Sequence, residues 1–269
     1  MVLSGTLRVV LLCLLSLCLR GTEVKRVNQN NLALIIRYIQ SQYSPGDQYA
    51  VAINIPAKFC TKTFNLDDFK SVLMNDLPDN VKDVMKGPSK VYSGTQLIGA
   101  TPLPDTKSPV NRKTRKHPNF HSEYLLLIKS TPLATDPNPN DPLMQKLLNR
   151  DPQGCVIFYT YNSPCIRTCL NEKNKERNIL TALNMLRDHQ GPKAFVYNKI
   201  FHYDQNNTDL EKNLKKIEGK DEKFLYRCSC YSKYNNNNNN HNYNDNDNSI
   251  CYMCQLCFSE DEAAEQCLN

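Results

Sequence analysis

The sequence predicts an α/β protein in which a sheet is covered by helices. Three observations carry this. An early stretch has apolar residues at helical spacing, several short runs rich in β-branched and aromatic residues read as strands, and in the second half strands and helices alternate, which implies crossover connections.

Taken in order, Asn30 to Tyr43 carries Leu32, Leu34, Ile35, Ile36, Tyr38 and Ile39, the pattern of an amphipathic helix closed by Pro45-Gly46. Tyr49 to Ile55 is a strand stopped by Pro56. Val91 to Ala100 is a second strand after Gly87-Pro88, and the two are expected to form a hairpin across a long connection. Thr101 to Asn119 is a Pro-rich basic loop, and Phe120 to Ser130 reads as a helix. Asp136 to Pro142 is Pro/Asn-rich and irregular. Cys155 to Tyr161 is a buried-type strand, and Pro164 suits the first turn of a helix extending to about Gln190, before Gly191-Pro192. Ala194 to Phe201 is a strand, Asp209 to Ile217 an amphipathic helix ended by Gly219, and Phe224 to Cys228 a further strand. Six consecutive Asn begin a stretch, 235–248, that lacks core-forming residues and is expected to be disordered. The organisation expected is therefore a leader over 1–22, one domain over 23–220, and a Cys-rich tail over 221–269 with the 235–248 linker inside it.

A 40% hydrophobic composition and a mean hydropathy of −0.55 over 269 residues argue against a polytopic membrane protein. Arg8, the apolar run Val9 to Leu19, and small Gly21 and Thr22 read as a cleaved secretory signal. The run is shorter than the roughly 18 apolar residues an anchor needs. The expected location is secreted, with no membrane association after cleavage. In an oxidising compartment Cys60, Cys155, Cys228, Cys230, Cys251, Cys254, Cys257 and Cys267 make an even set of disulfide candidates whose connectivity the sequence leaves open. The spacing Cys251-x-x-Cys254-x-x-Cys257 would also suit a second metal, but secretion favours disulfides. Asn206-Asn207-Thr208 is a glycosylation sequon at Asn206. The net charge is +6, with the basic excess before residue 220 and an acidic end. A basic body suits a polyanionic partner.

The chemistry concentrates in two segments. His121-Ser122-Glu123 precedes one helix; Ser163-Pro164-Cys165, with Cys169 following, leaves a buried strand. A His and two Cys are zinc ligands of the kind that leave a fourth position for water, and zinc brings the pKa of such water to about 7. Glu123, two residues after His121, is placed to move protons rather than to bind metal. Taken singly, His121 reads as a surface or capping histidine, Glu123 as helix surface, and Cys165 with Cys169 as a disulfide. Their order, each at the start of an element, favours the metal.

Phe120-His121-Ser122-Glu123-Tyr124-Leu125-Leu126-Leu127, the strand Val156 to Tyr161, Ser163-Pro164-Cys165, and Ala194 to Asp204 resemble the AID/APOBEC branch of the cytidine deaminase superfamily. With its leader, the chain is most similar to the secreted AID/APOBEC-like deaminases, over roughly residues 30–220. The resemblance implies a cytidine deaminase-like three-layer fold with a five-stranded mixed sheet flanked by helices. It also implies Zn(2+) on His121, Cys165 and Cys169, Glu123 as the catalytic acid and base, and conversion of cytosine to uracil. By position, Ser122 offers backbone contact to the base, Ser163 belongs to the substrate pocket, and Tyr203 stacks on the base or its neighbour.

Three features depart from the pattern. Three residues separate Cys165 from Cys169, the gap from Glu123 to Pro164 is long, and Asn162 stands where nucleic-acid-editing relatives commonly carry Trp, a residue this chain lacks altogether. Arg112, Lys113, Arg115, Lys116 and His117 precede His121 and, with Tyr203, would supply the positive groove and aromatic platform that single-stranded nucleic acid needs. The expected function is deamination of single-stranded DNA or RNA, with a role in immunity against foreign nucleic acid implied by the resemblance. A free-nucleoside deaminase and a secreted, non-catalytic interaction protein on the same scaffold are the alternatives. The sequence leaves the oligomeric state undefined.

Overall fold

A computed structural model describes residues 26–110, 118–129, 140–219, 222–232, 249–259 and 262–268. The leader, the basic residues Arg112, Lys113, Arg115, Lys116 and His117, residues 131–139 and the Asn-rich linker lie outside the described residues. Among those described, no helix is long and apolar enough to cross a membrane.

Helix α1 (Gln29–Tyr43) begins where Asn28 accepts hydrogen bonds from the backbone of Asn30 and Asn31. It buries Leu32, Ile35, Ile36, Ile39 and Tyr43 at three- and four-residue spacing. Ser44 is extended and Pro45 follows. Gly46 has φ +112°, a left-handed backbone that suits glycine, and the bend there leads the chain into β1 (Ala50–Ile55). The long connection expected after β1 holds three short helices, α2 (Lys58–Thr61), α3 (Leu66–Val72) and α4 (Pro78–Lys86).

The segment expected as one strand over 91–100 folds back on itself as β2 (Val91–Ser93) and β3 (Leu97–Ala100). The cause is a buried carboxylate. Asp76, fully buried, accepts from the backbone N–H of Thr95 and Gln96 and from the Tyr92 hydroxyl. Gly94 is required there because a Cβ would come within 1.7 Å of Asp76 Oδ1.

A two-residue pairing of β4 (Leu103–Pro104) with β5 (Asn119–Phe120) leads into α5 (Ser122–Leu127). After α6 (Leu143–Leu148) comes β6 (Cys155–Asn162), whose first six residues are buried. No helix extends from Pro164 to Gln190: residues 166–183 are mostly turns, and only α7 (Asn184–Arg187) is helical. The asparagines explain this. Asn171, Asn174 and Asn178 accept hydrogen bonds from the backbone of Lys173, Arg177 and Leu180, so their side chains satisfy local N–H groups in place of a helix. Then follow β7 (Lys193–Lys199), α8 (Leu210–Lys215), β8 (Leu225–Ser232) and β9 (Ser249–Leu256).

The sheet has seven strands, in the order β2-β3-β1-β6-β7-β8-β9, rather than five. The extra pair are the edge strands: β2, created by the turn at Asp76, and β9, supplied by the Cys-rich segment. β9 pairs antiparallel with β8, and Cys228–Cys254 ties the two at directly opposed positions. The pairings of β6 with β7 and of β7 with β8 are parallel; the others are antiparallel. One face, with Val51, Ile53, Ile157, Tyr159 and Val196, packs under α1 and the 58–86 helices. The other, with Ala52, Val156, Phe158, Phe195 and Tyr197, packs under α5, α6, α8 and the 165–186 turns. This is the expected three-layer arrangement.

Beyond α7, His189 is buried, and its Nε2 donates to Gly154 O at 2.8 Å. Burial chiefly, and Lys193 nearby, pull its pKa below the ordinary 6.5, against the Gly154 bond and the charges of Asp151 and Glu222. The folded state therefore binds fewer protons than the unfolded chain between that lowered value and 6.5, so stability falls as pH drops through this window. Denaturant midpoints at about pH 7.5 and 5.5 are expected to fall less in His189→Gln than in the wild type; equal falls would assign the dependence elsewhere.

Candidate functional site

The site lies where β6 and β7 end. β6 pairs antiparallel with β1 and parallel with β7, so its carboxyl end opens a crevice. Ser163 N donates to Lys199 O at 2.7 Å, and Phe201 N donates to Ser163 Oγ at 3.0 Å, so the exits of the two strands are tied together. Pro164 then turns the chain out of the sheet. Asp204, buried, accepts from Ile166 N at 2.9 Å and fixes the turn after Cys165. On the opposite side, the β4–β5 pair brings His121 in. Arg177 holds that entry: it bonds Asp105 and Ser108, and its guanidinium lies 5.0 Å from the Phe120 ring centroid.

His121 occupies the cap position of α5, yet its side chain makes no cap hydrogen bond. Its Nδ1 lies 3.2 Å from Cys169 Sγ and 3.6 Å from Cys165 Sγ. The ligand atoms of the three residues lie within 4.8 Å of one another. Tetrahedral zinc with ordinary Zn–S and Zn–N bonds sets such atoms roughly 3.6 Å apart. Cys165 and Cys169 are both buried, and among the described cysteines these are the free ones. The donor set thus fits a metal ion, and the sequence expectation that these two thiols escape disulfide pairing agrees with their geometry.

Glu123 stands one helical step away, 2% exposed. The Thr160 hydroxyl donates to its Oε1 at 2.9 Å, and the Ser122 hydroxyl to its Oε2 at 3.3 Å. A cavity of about 240 Å³ is lined by His121, Glu123 and Cys165, and by Gln48, Asn119, Asn162, Ser163 and Phe201. The carboxylate and two of the three ligand residues, His121 and Cys165, therefore face one cavity.

Burial pushes the Glu123 carboxyl above the usual carboxylate range, against the opposing pull of His121 and Thr160. Cys169 donates to Cys165, which holds the Cys165 thiol far below its usual value, while that bond and burial raise Cys169. Burial lowers the pKa of His121, but its bond to Cys165 and the charge of Glu123 outweigh it and raise the group overall.

Of the residues singled out from sequence, His121, Glu123, Ser163, Cys165 and Cys169 come together around the cavity. Ser122 is fully buried beneath it, its hydroxyl turned to Glu123. Tyr203 is 78% exposed and lies tilted against the His202 ring outside the lining, while Phe201 provides the aromatic surface inside. Asn206 is exposed on the same loop with φ 66°. The sequence reading missed Gln48, Thr160, Phe201 and Asp204. Phe201 and Asp204 flank Tyr203 and could have been found by taking the whole segment; Gln48 gave no local signal.

A helix-covered mixed sheet with a His/Cys/Cys group at the ends of its central strands is a deaminase scaffold. The chain belongs to the family described as Secreted Novel AID/APOBEC-like Deaminase 1, which it matches over residues 29–269. That span includes the Cys-rich segment, in keeping with β9 being part of the sheet. Searches of curated proteins and of solved structures returned no match. The family's description as secreted agrees with the disulfides Cys60–Cys155, Cys228–Cys254 and Cys257–Cys267.

Proposed function

We propose that this protein is a secreted, zinc-dependent deaminase that hydrolyses cytosine to uracil in single-stranded nucleic acid. One observation carries the reading: a buried carboxylate, Glu123, lines the same cavity as His121 and Cys165 of the His121/Cys165/Cys169 group. His121 Nδ1 and the two thiolates would hold zinc, whose Lewis acidity makes water nucleophilic near neutral pH. Glu123 has the position and raised pKa of a proton carrier. It takes a proton from the attacking water and passes it to the ring nitrogen, then takes the hydroxyl proton of the tetrahedral adduct and delivers it to the amino group, so that ammonia leaves as the C–N bond breaks and the carbonyl forms. Thr160 and Ser122 hold the two carboxylate oxygens during this traffic. Phe201 offers the base an aromatic face, and Ser163, locked by Phe201 N, shapes the floor.

A polynucleotide substrate is supported by the basic charge of +6 and by exposed Tyr203 and His202 beside the cavity mouth. Arg112, Arg115 and Lys116 would add phosphate contacts, and a defensive role against foreign nucleic acid is part of the same proposal.

The test is zinc stoichiometry and cytosine-to-uracil conversion by the purified mature protein, on single-stranded oligonucleotides and on cytidine. One zinc per chain is expected, with oligonucleotide turnover that falls steeply between about 50 and 200 mM salt as phosphate contacts weaken. A salt-insensitive rate with preference for cytidine would replace the polynucleotide by the free nucleoside. Zinc without turnover on any substrate would leave a binding scaffold. A Cys165–Cys169 disulfide without zinc would end the deaminase reading.

A further inference from the structure

We infer that Gln48 is a positioning residue for Glu123, acting through Thr160 from a polar wall it forms with Asn162. The inference rests on the deaminase reading and adds a residue to its machinery.

Gln48 sits on the bend between α1 and β1 and reaches three other elements. The backbone N–H and the side-chain Nδ2 of Asn162, both donors, lie 3.0 and 2.7 Å from Gln48 Oε1. Only an oxygen can accept both, so the orientation of the Gln48 amide is set. Its Nε2 must then face the other way. There it meets Thr160 Oγ1 at 3.1 Å, Ser122 Oγ at 3.3 Å and Glu123 Oε1 at 3.5 Å.

Thr160, fully buried, has one proton and two acceptors in range, Glu123 Oε1 at 2.9 Å and Asn162 O at 3.0 Å. Gln48 resolves this choice. Its donation occupies a lone pair of Thr160, and its second N–H adds to the positive field on the Glu123 side. Its grip on Asn162 also fixes the competing carbonyl. The carboxylate is thereby pinned toward the ligand group. Gln48 and Asn162 both line the cavity, so this wall is an amide pair at the position where relatives commonly place a ring.

The test uses the zinc-loaded full chain and four proteins: wild type, Gln48→Met, Thr160→Val and Thr160→Ser. Methionine keeps the length of glutamine and removes its hydrogen bonds; valine keeps the shape of threonine. Kinetics on a single-stranded oligonucleotide, zinc stoichiometry, and crystal structures of wild type and Gln48→Met are the readouts. The kcat of Gln48→Met and Thr160→Val is expected to fall about 10²-fold, the scale of a misplaced catalytic group, with KM and zinc content little changed. Thr160→Ser, which keeps the hydroxyl, is expected to recover most of the activity that Thr160→Val loses. In the Gln48→Met structure the Glu123 carboxylate should leave Thr160. A Gln48→Met protein with wild-type kcat, or with Glu123 still bonded to Thr160, overturns the inference, and so does a kcat loss that tracks zinc loss. If Gln48→Met does not fold, Gln48→Ala takes its place, and the same kcat loss with Glu123 released from Thr160 is expected, a wild-type kcat or an unmoved Glu123 overturning the inference. If wild type deaminates nothing, the proposed function falls, and the position of Glu123 in the two crystal structures still decides the role of Gln48.

Discussion

Glu123→Gln is expected to abolish measurable deamination while leaving zinc and fold in place. Glutamine matches glutamate in shape, and the Thr160 and Ser122 hydroxyls beside it can each turn to accept from an amide as readily as they donate to a carboxylate. Glu123 also contributes none of the three ligand atoms that lie within 4.8 Å of one another. What the substitution removes is the proposed proton carrier. General acid–base catalysis contributes about 10²–10⁴-fold, or roughly 3–5 kcal/mol of barrier. Because the proposed mechanism has one carboxyl serve both the water and the departing ammonia, the loss should sit at the upper end. Cys165→Ser gives the contrasting profile: activity, zinc and thermal stability should all decline together. A Glu123→Gln enzyme within tenfold of wild type would assign the proton transfers to another group.

The site was legible because its chemistry is written in short segments. His121 to Leu127 and Val156 to Cys165 each fix an element and the side chain at its end, so local pattern and active geometry coincide. Gln48 fails on that criterion. Its partners Ser122 and Thr160 lie 74 and 112 positions away, and nothing around a bend residue marks it as a hydrogen-bond hub. The missing helix after Pro164 shows another limit. Cys165 and Cys169 share a helix-like spacing, but the asparagines beyond them hold local backbone N–H groups in turns, and tertiary ties such as Asp204 to Ile166 N position the ligands instead. The two extra strands depend on non-local events. β2 needs Asp76 inserted into the 95–96 turn, and β9 needs a crosslink to β8 across the Asn-rich segment. The even cysteine count was visible; the pairing was a property of the folded sheet.

Removing Cys60–Cys155 is expected to be the most destabilising loss of a crosslink. Its partners are 95 residues apart, against 26 for Cys228–Cys254 and 10 for Cys257–Cys267. Loop-closure entropy in the unfolded chain predicts about 4.5, 3.5 and 2.5 kcal/mol respectively. Double alanine variants of each pair, unfolded in denaturant without reductant, should show that order, and an equal or reversed series would mean that native packing rather than chain entropy sets their worth. The first pair matters beyond its size. It fastens α2 to Cys155, the residue that opens β6, and β6 runs from there to the site. Fraying at that end should loosen Thr160 and Cys165 together, so the Cys60→Ala/Cys155→Ala protein should lose zinc at lower denaturant than the Cys257→Ala/Cys267→Ala protein. On the proposed function, oxidation would serve the metal indirectly: pairing these two cysteines across the fold steadies the strand that delivers Cys165 to the His/Cys/Cys group, and leaves Cys165 and Cys169 as each other's neighbours with His121 between them.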